Sequence, residues 1–202
     1  KALAIYDGLL RENPTDRGAI QAKAKLLVEL NRGDEAVRLL RNPAGIGDLE
    51  EEIAASVALI ETLLDLKRNS EAEREMTNLT AWAKGGGVAK RLGDLCFARQ
   101  RFEDAVGFYE KARTSEQSWN REKFQANLAR CYAKTGRAEE ALKCLARLRT
   151  AQTPFLAVDF ISWLLAEKEF AFAERFLKDQ TALRPEDSSL WNRLADARLG
   201  AG

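Results

Sequence analysis

Apolar residues recur along this chain at intervals of three and four, the period of a helix with one buried face. Leu92, Gly93 and Cys96 share one such face. Leu128, Ala129 and Tyr132 share the next, and Leu194 with Ala195 continue the series. A second kind of stretch follows each of these, marked by an alanine and a large side chain four residues later. Breaks such as RQRF, TGRA and NRGD separate the paired stretches. No run alternates with period two, so the pattern predicts about twelve helices and no strands.

The marker alanines reveal a repeat. They are Ala2, Ala36, Ala72, Ala105, Ala141 and Ala173, spaced 34, 36, 33, 36 and 32 residues apart. The large partners are Tyr6, Leu40, Met76, Tyr109, Leu145 and Leu177. Pro14 and Pro185 each fall twelve residues after a marker, where the second helix should stop. A period of this length in paired helices signifies a repeat array.

Here the chain resembles the tetratricopeptide repeat family, whose pattern is W-x2-L-G-x2-Y, then A-x3-F, then P. Ala89, Leu92, Gly93 and Cys96 give A-x2-L-G-x2-C, and Ala105 with Tyr109 gives A-x3-Y. The Trp returns at Trp191, in WNRLA. The resemblance implies an all-α fold, a right-handed α-solenoid of antiparallel helical hairpins. In such a stack Gly93 and Ala105 are the small sides of a helix crossing, and Leu92 and Tyr109 fill the space beside them. On that reading Gly93→Ala is expected to be nearly neutral, its gain in helix propensity offsetting one added methyl.

The register divides the chain into five full repeats at 17–52, 53–85, 86–121, 122–153 and 154–187, flanked by half repeats at 1–16 and 188–202. Unpaired helices at both ends suggest a single solenoid that is a fragment of a longer one. The second helix of the first repeat, DEAVRLLRN, meets Pro43 and AGIG and is expected to be short. GGGV at 85–88 reads as a turn between repeats, since a phosphate-binding loop needs GxxxxGK[ST] after a strand.

Composition excludes several functions. With 32 basic and 31 acidic residues the net charge is +1, which gives no footprint for nucleic acid. An RNA-binding helical array of similar period is therefore disfavoured. No apolar run is long enough to insert into a membrane. Histidine is absent, which removes His-based nucleophile systems and His-ligated metals. Cys96, Cys131 and Cys144 form no CxxC and read as small buried residues in a reducing compartment, which suggests a cytoplasmic location. Too few ligands accompany Cys131 and Cys144 for zinc. The acidic runs Glu50–Glu52 and Glu139–Glu140 suit helix starts, where carboxylates favour the dipole. No cofactor, metal or catalytic residue is expected, and the chain does not read as an enzyme.

The candidate site is instead a surface. On the helix from 122 to 135, Lys123, Asn127, Arg130 and Lys134 lie opposite the packing face of Gln125, Leu128, Ala129 and Tyr132. The family resemblance implies that this side lines a peptide-holding concave groove. The preceding repeat contributes Lys90, Arg91, Asp94 and Phe97, and the following one Phe155, Val158, Ser162 and Leu165. The groove would run from a basic middle to an apolar stretch and take a protein or peptide segment with acidic and apolar residues. A chaperone-tail carboxylate clamp is not expected. Lys90 and Asn127 match it, but Asp94, Phe155 and Asp159 stand where it needs Asn and two bases. A non-catalytic interaction scaffold is thus the leading function. The alternatives are an architectural subunit that assembles or self-associates through its edges or ends, and a regulatory region of a larger protein.

Overall fold

The computed structural model describes the backbone at residues 1–41, 48–83, 85–113, 121–150 and 154–202, and side chains there except at 121–123, 146–150 and 154–158. The described residues form twelve helices and no strand. In order they are α1 (Ala2–Glu12), α2 (Arg17–Glu29), α3 (Gly33–Arg41), α4 (Leu49–Asp65), α5 (Asn69–Trp82) and α6 (Gly86–Ala98). These are followed by α7 (Phe102–Arg113), α8 (Arg121–Lys134), α9 (Ala138–Thr150), α10 (Pro154–Ala166), α11 (Phe170–Leu183) and α12 (Ser188–Ala201). The fold is an all-α helical repeat.

The marker alanines explain why the helices pack as they do. Ala36, Ala72, Ala105, Ala141 and Ala173 are all 0% exposed, and Leu40, Met76, Tyr109, Leu145 and Leu177 beside them are buried. Ala2 is exposed and Tyr6 half-buried. A small side chain brings two helix backbones close, and the larger one a turn later occupies the space alongside.

The turns repeat as strictly as the core. Five hairpins bend at Asn31, Lys67, Gln100, Gly136 and Lys168, all with left-handed backbone. After each, the next amide closes back onto the preceding helix: Arg32 to Leu27, Arg68 to Leu63, Arg101 to Cys96, Arg137 to Tyr132 and Glu169 to Leu164. This is the six-to-one bond of a Schellman cap. In four of the five the arginine side chain then pairs with an acid three residues on. Arg32–Glu35 is 2.7 Å, Arg68–Glu71 2.6 Å, Arg101–Asp104 2.5 Å and Arg137–Glu140 3.5 Å. One short motif therefore stops the first helix and starts the second.

The chain separates into two compact units, Lys1–Leu92 and Gly93–Gly202. In the first, α1 packs on α2, α2 on α3, α3 on α4 and α4 on α5, with α2 also touching α4. Asp16 and Asp48 cap α2 and α4, accepting from the amides of Ala19 at 3.0 Å and Glu51 at 2.9 Å. Ion pairs near the repeat spacing tie neighbours together: Arg17–Glu51 at 3.1 Å, Arg68–Asp34 at 2.8 Å and Arg41–Glu71 at 2.8 Å. The core of this unit is aliphatic, built on residues such as Ile20, Leu27, Leu40, Ile60, Leu63 and Leu79.

In the second unit α7 packs on α8, α8 on α9, α10 on α8, α9 and α11, and α11 on α12. Its core is aromatic and thiol-rich. Tyr109, Phe124, Tyr132, Phe160, Phe172 and Phe176 are buried alongside Cys96, Cys131 and Cys144. Phe160 meets Phe172 and Phe176 edge-on, each with centroids 6.0 Å apart. Arg175 pairs with Glu139 in the same unit.

Several details refine the sequence reading. The described part of the second helix of the first repeat runs over nine residues, Gly33 to Arg41. Pro43 and AGIG lie outside the described residues. GGGV is not a turn throughout: only Gly85, at φ +148°, lies in the link, and Gly86 already begins α6. The 52/53 boundary falls inside α4, because Asp48 caps that helix and Glu50–Glu52 form its first turn.

Candidate functional site

Two side-chain constellations lie on the first helices of the hairpins, one in each unit. The first is a cavity of about 520 Å³ within Lys1–Leu92. α2 supplies Gln21, Ala24, Lys25, Val28 and Glu29, which share a face at helical spacing. α4 supplies Ala54, Val57, Ala58, Glu61, Thr62 and Asp65 on the same principle. Leu40 and Arg91 complete the lining. The floor is made of alanines and valines, so the helix surfaces leave room between them. Arg91, named by the sequence, lies on this wall and donates to Glu50.

The second constellation is a polar chain within Gly93–Gly202. The Tyr109 hydroxyl donates to Asp94 at 2.7 Å and accepts from Asn127 Nδ2 at 3.4 Å. Arg130 in turn donates to Asn127 Oδ1 at 3.5 Å. Burial, reinforced by the Asp94 carboxylate, pushes the Tyr109 phenol well above its ordinary range. Arg130 is half-buried, with its guanidinium 5.6 Å from the Trp163 ring, and burial lowers its pKa. Lys134 pairs with Glu167 at 2.9 Å and Glu169 at 3.1 Å and also lies over Trp163. The Glu167 hydrogen bond leads in raising its pKa.

The structure therefore distributes the sequence candidates unevenly. Asp94, Asn127 and Arg130 come together, but as a partly buried network. Asn127 is only 8% exposed beneath the Tyr109 hydroxyl. Phe97 lies edge-on against Phe102, centroids 6.0 Å apart, so a neighbouring turn covers part of its ring. Ser162 is exposed and accepts from Arg193 at 2.8 Å. Leu165 is half-buried, and so is Lys90, which has interactions of its own. The side chains of Lys123, Phe155 and Val158 lie outside the described residues.

The sequence reading missed the α2–α4 cavity. Its signal was the small-residue run AASVA at 54–58 opposite AKAK at 22–25. Such a run costs a helix nothing but leaves its neighbour uncovered. The three cysteines are buried, and desolvation pushes the Cys96 and Cys131 thiols up to about 12. Thiols held in that state are poor nucleophiles. Among the described residues no cluster of His, Cys, Asp or Glu could hold a metal ion, and no helix is long and apolar enough to cross a membrane.

Residues 97–154 match a family model described as tetratricopeptide repeat. A crystal structure of nearly identical TPR-like repeats from Podosopora anserina aligns with a TM-score of 0.53 and 18% identity, over 94% of this chain and 97% of that one. YrrB, a TPR protein with an unusual peptide-binding site, aligns at 0.47 and 16%, over 93% and 96%. The APC/C hetero-tetramer Cut9–Hcn1 aligns at 0.48 and 16%, covering 97% of this chain, which spans 39% of that one. No curated protein sequence matches. Identities this low speak for the fold alone.

Proposed function

We propose that this chain, built of tetratricopeptide repeats, holds an extended segment of a partner protein against the first helices of its hairpins. The repeat fold implies a protein–protein interaction scaffold in general. The finer reading rests on one observation, the cavity of about 520 Å³ over Ala24, Ala54 and Ala58. Its size is in the range of sites that enclose small ligands or side chains, about 300–1,000 Å³. A peptide laid along α2 and α4 would set one or two apolar side chains on that floor, with polar groups along both rims to fix its register.

Within Gly93–Gly202, Arg130, Lys134, Ser162 and Leu165 remain candidate partner contacts. Arg130 and Lys134 already serve Asn127, Trp163, Glu167 and Glu169, so reversing both charges also disturbs the unit itself. A cleaner test fills the cavity. Peptides selected from a random phage-displayed library on the wild-type chain should lose binding to Ala58→Trp, while circular dichroism stays unchanged. If every selected peptide binds Ala58→Trp as well as wild type, the α2–α4 cavity is not the recognition surface, and this reading of it fails.

A further inference from the structure

We infer that the segment held in the α2–α4 cavity seats a neutral carboxamide side chain, Gln or Asn, against the hydroxyl of Thr62. This rests on the groove reading above and adds the chemistry of the occupant.

A threonine in or at the end of a helix commonly turns its hydroxyl back onto a carbonyl three or four residues earlier. Thr77, Thr80, Thr135 and Thr181 do so, donating to the carbonyls of Glu73 at 2.8 Å, Met76 at 2.9 Å, Tyr132 at 3.3 Å and Lys178 at 3.0 Å. Thr62 behaves differently. It lies on the cavity wall, is only 6% exposed, and its hydroxyl has no hydrogen-bond partner among the described residues. A buried hydroxyl left unpaired is unfavourable. An occupant that displaces water from Thr62 must therefore replace the hydrogen bond it removes.

The charged residues of the lining are already served. Arg91 is held by Glu50, and Glu61 and Asp65 have interactions of their own within the chain. Lys25 and Glu29 are exposed, so water solvates their charges. Gln21, half-buried on α2, also has no partner among the described residues. The two covered groups that await a partner are thus neutral, and each both donates and accepts. A charged tip seated there would lose more hydration than one hydroxyl restores. An aliphatic tip would leave Thr62 unpaired. A carboxamide donates and accepts in turn, and its aliphatic stem suits a floor of Ala24, Val57 and Ala58.

Four labelled dodecapeptides of alternating Val and Ser test this, identical except for Gln, Leu, Glu or Lys at one central position. Fluorescence anisotropy on the wild-type chain should show the Gln probe binding roughly tenfold more tightly than the Leu probe, the penalty of a buried hydroxyl left unpaired. The Glu and Lys probes should also bind more weakly than Gln. Thr62→Val removes the hydroxyl and should bring the Gln and Leu probes together. Thr62→Ser keeps it and should keep their difference. If Leu, Glu or Lys binds as well as Gln to the wild type, or if the difference survives Thr62→Val, this inference fails. The groove reading then stands as long as Ala58→Trp abolishes binding. Probes that ignore Ala58→Trp, or fail to bind at millimolar protein, overturn both.

Discussion

The two units solve the same packing problem with different side chains. All nine phenylalanines and all three cysteines of the chain fall after Leu92. Among the described residues Lys1–Leu92 buries aliphatic side chains, alanines, Met76 and Thr62 but no aromatic ring, whereas Gly93–Gly202 buries six aromatic rings with its thiols. Both keep fully buried alanines, Ala36 and Ala72 in the first and Ala105, Ala141 and Ala173 in the second, so helix spacing there is set by that one position. What varies is the filler. Tyr109 reaches past its crossing to bond Asp94 and Asn127, so the space beside it is occupied and locked. Leu40 and its alanine and valine neighbours leave a cavity. The same crossing geometry thus accepts either a large ring held by hydrogen bonds or short side chains that leave space beside them.

That contrast can be broken most directly at two glycines. A Cβ on Gly93 would lie 2.6 Å from Tyr109 Cδ1 and 2.7 Å from Cε1. Tyr109 cannot turn aside, being fully buried with its hydroxyl held at both faces. The expectation of near-neutrality for Gly93→Ala is therefore corrected. It should cost about 1–3 kcal/mol, despite the roughly 1 kcal/mol of helix propensity gained. Gly93→Leu should cost more, and Ala105→Leu about the same as Gly93→Ala. Denaturant titration measures all three, and hydrogen exchange should place the loss within Gly93–Gly202 first. An unchanged midpoint for Gly93→Ala would mean that the Tyr109 ring is not fixed.

Tyr109→Phe isolates the polar lock from the ring. It leaves Asp94 and buried Asn127 without the hydroxyl, at a cost of about 1–3 kcal/mol. Double-mutant cycles with Asn127→Ala should show coupling; strict additivity would remove the network from the account.

Alkaline pH should also distinguish the units. The Cys96, Cys131, Tyr109 and Tyr132 side chains are all pushed up by burial, and all lie in the second unit. Unfolded, thiols and phenols ionise near about 8.5 and 10, while the folded unit keeps them protonated. Their contribution is complete below those values and falls as pH rises through them. Limited proteolysis near pH ~10 should nick Gly93–Gly202 before Lys1–Leu92. Cleavage first in the aliphatic unit would contradict this.

The smallest effect is expected at Gly33. A Cβ there would lie 2.6 Å from Leu66 Cδ2, as close as at Gly93, but the obstacle is the end of a half-buried, flexible side chain. Gly33→Ala should stay within about 0.5 kcal/mol of wild type. A loss matching that of Gly93→Ala would show that mobility of the neighbour does not decide the outcome.

The sequence by itself determined the twelve helices of the described residues and the buried small positions of their hairpins. Each depends on local periodicity and on side-chain size at one position, and Ala36, Ala72, Ala105, Ala141 and Ala173 were all legible that way. It did not reveal the paired Arg and acid at four of the hairpin turns until their bonds were seen. Only the tertiary structure decided which polar residues face outward. Helical geometry put Asn127 and Arg130 opposite the packing face, but a neighbouring hairpin supplies Tyr109 and another supplies Trp163, so that side is half-covered too. The same reason hid the cavity. Ala24, Ala54 and Ala58 are unremarkable residues on their own helices, and the space above them exists only because α2 and α4 both place short side chains on its floor while longer ones line its sides.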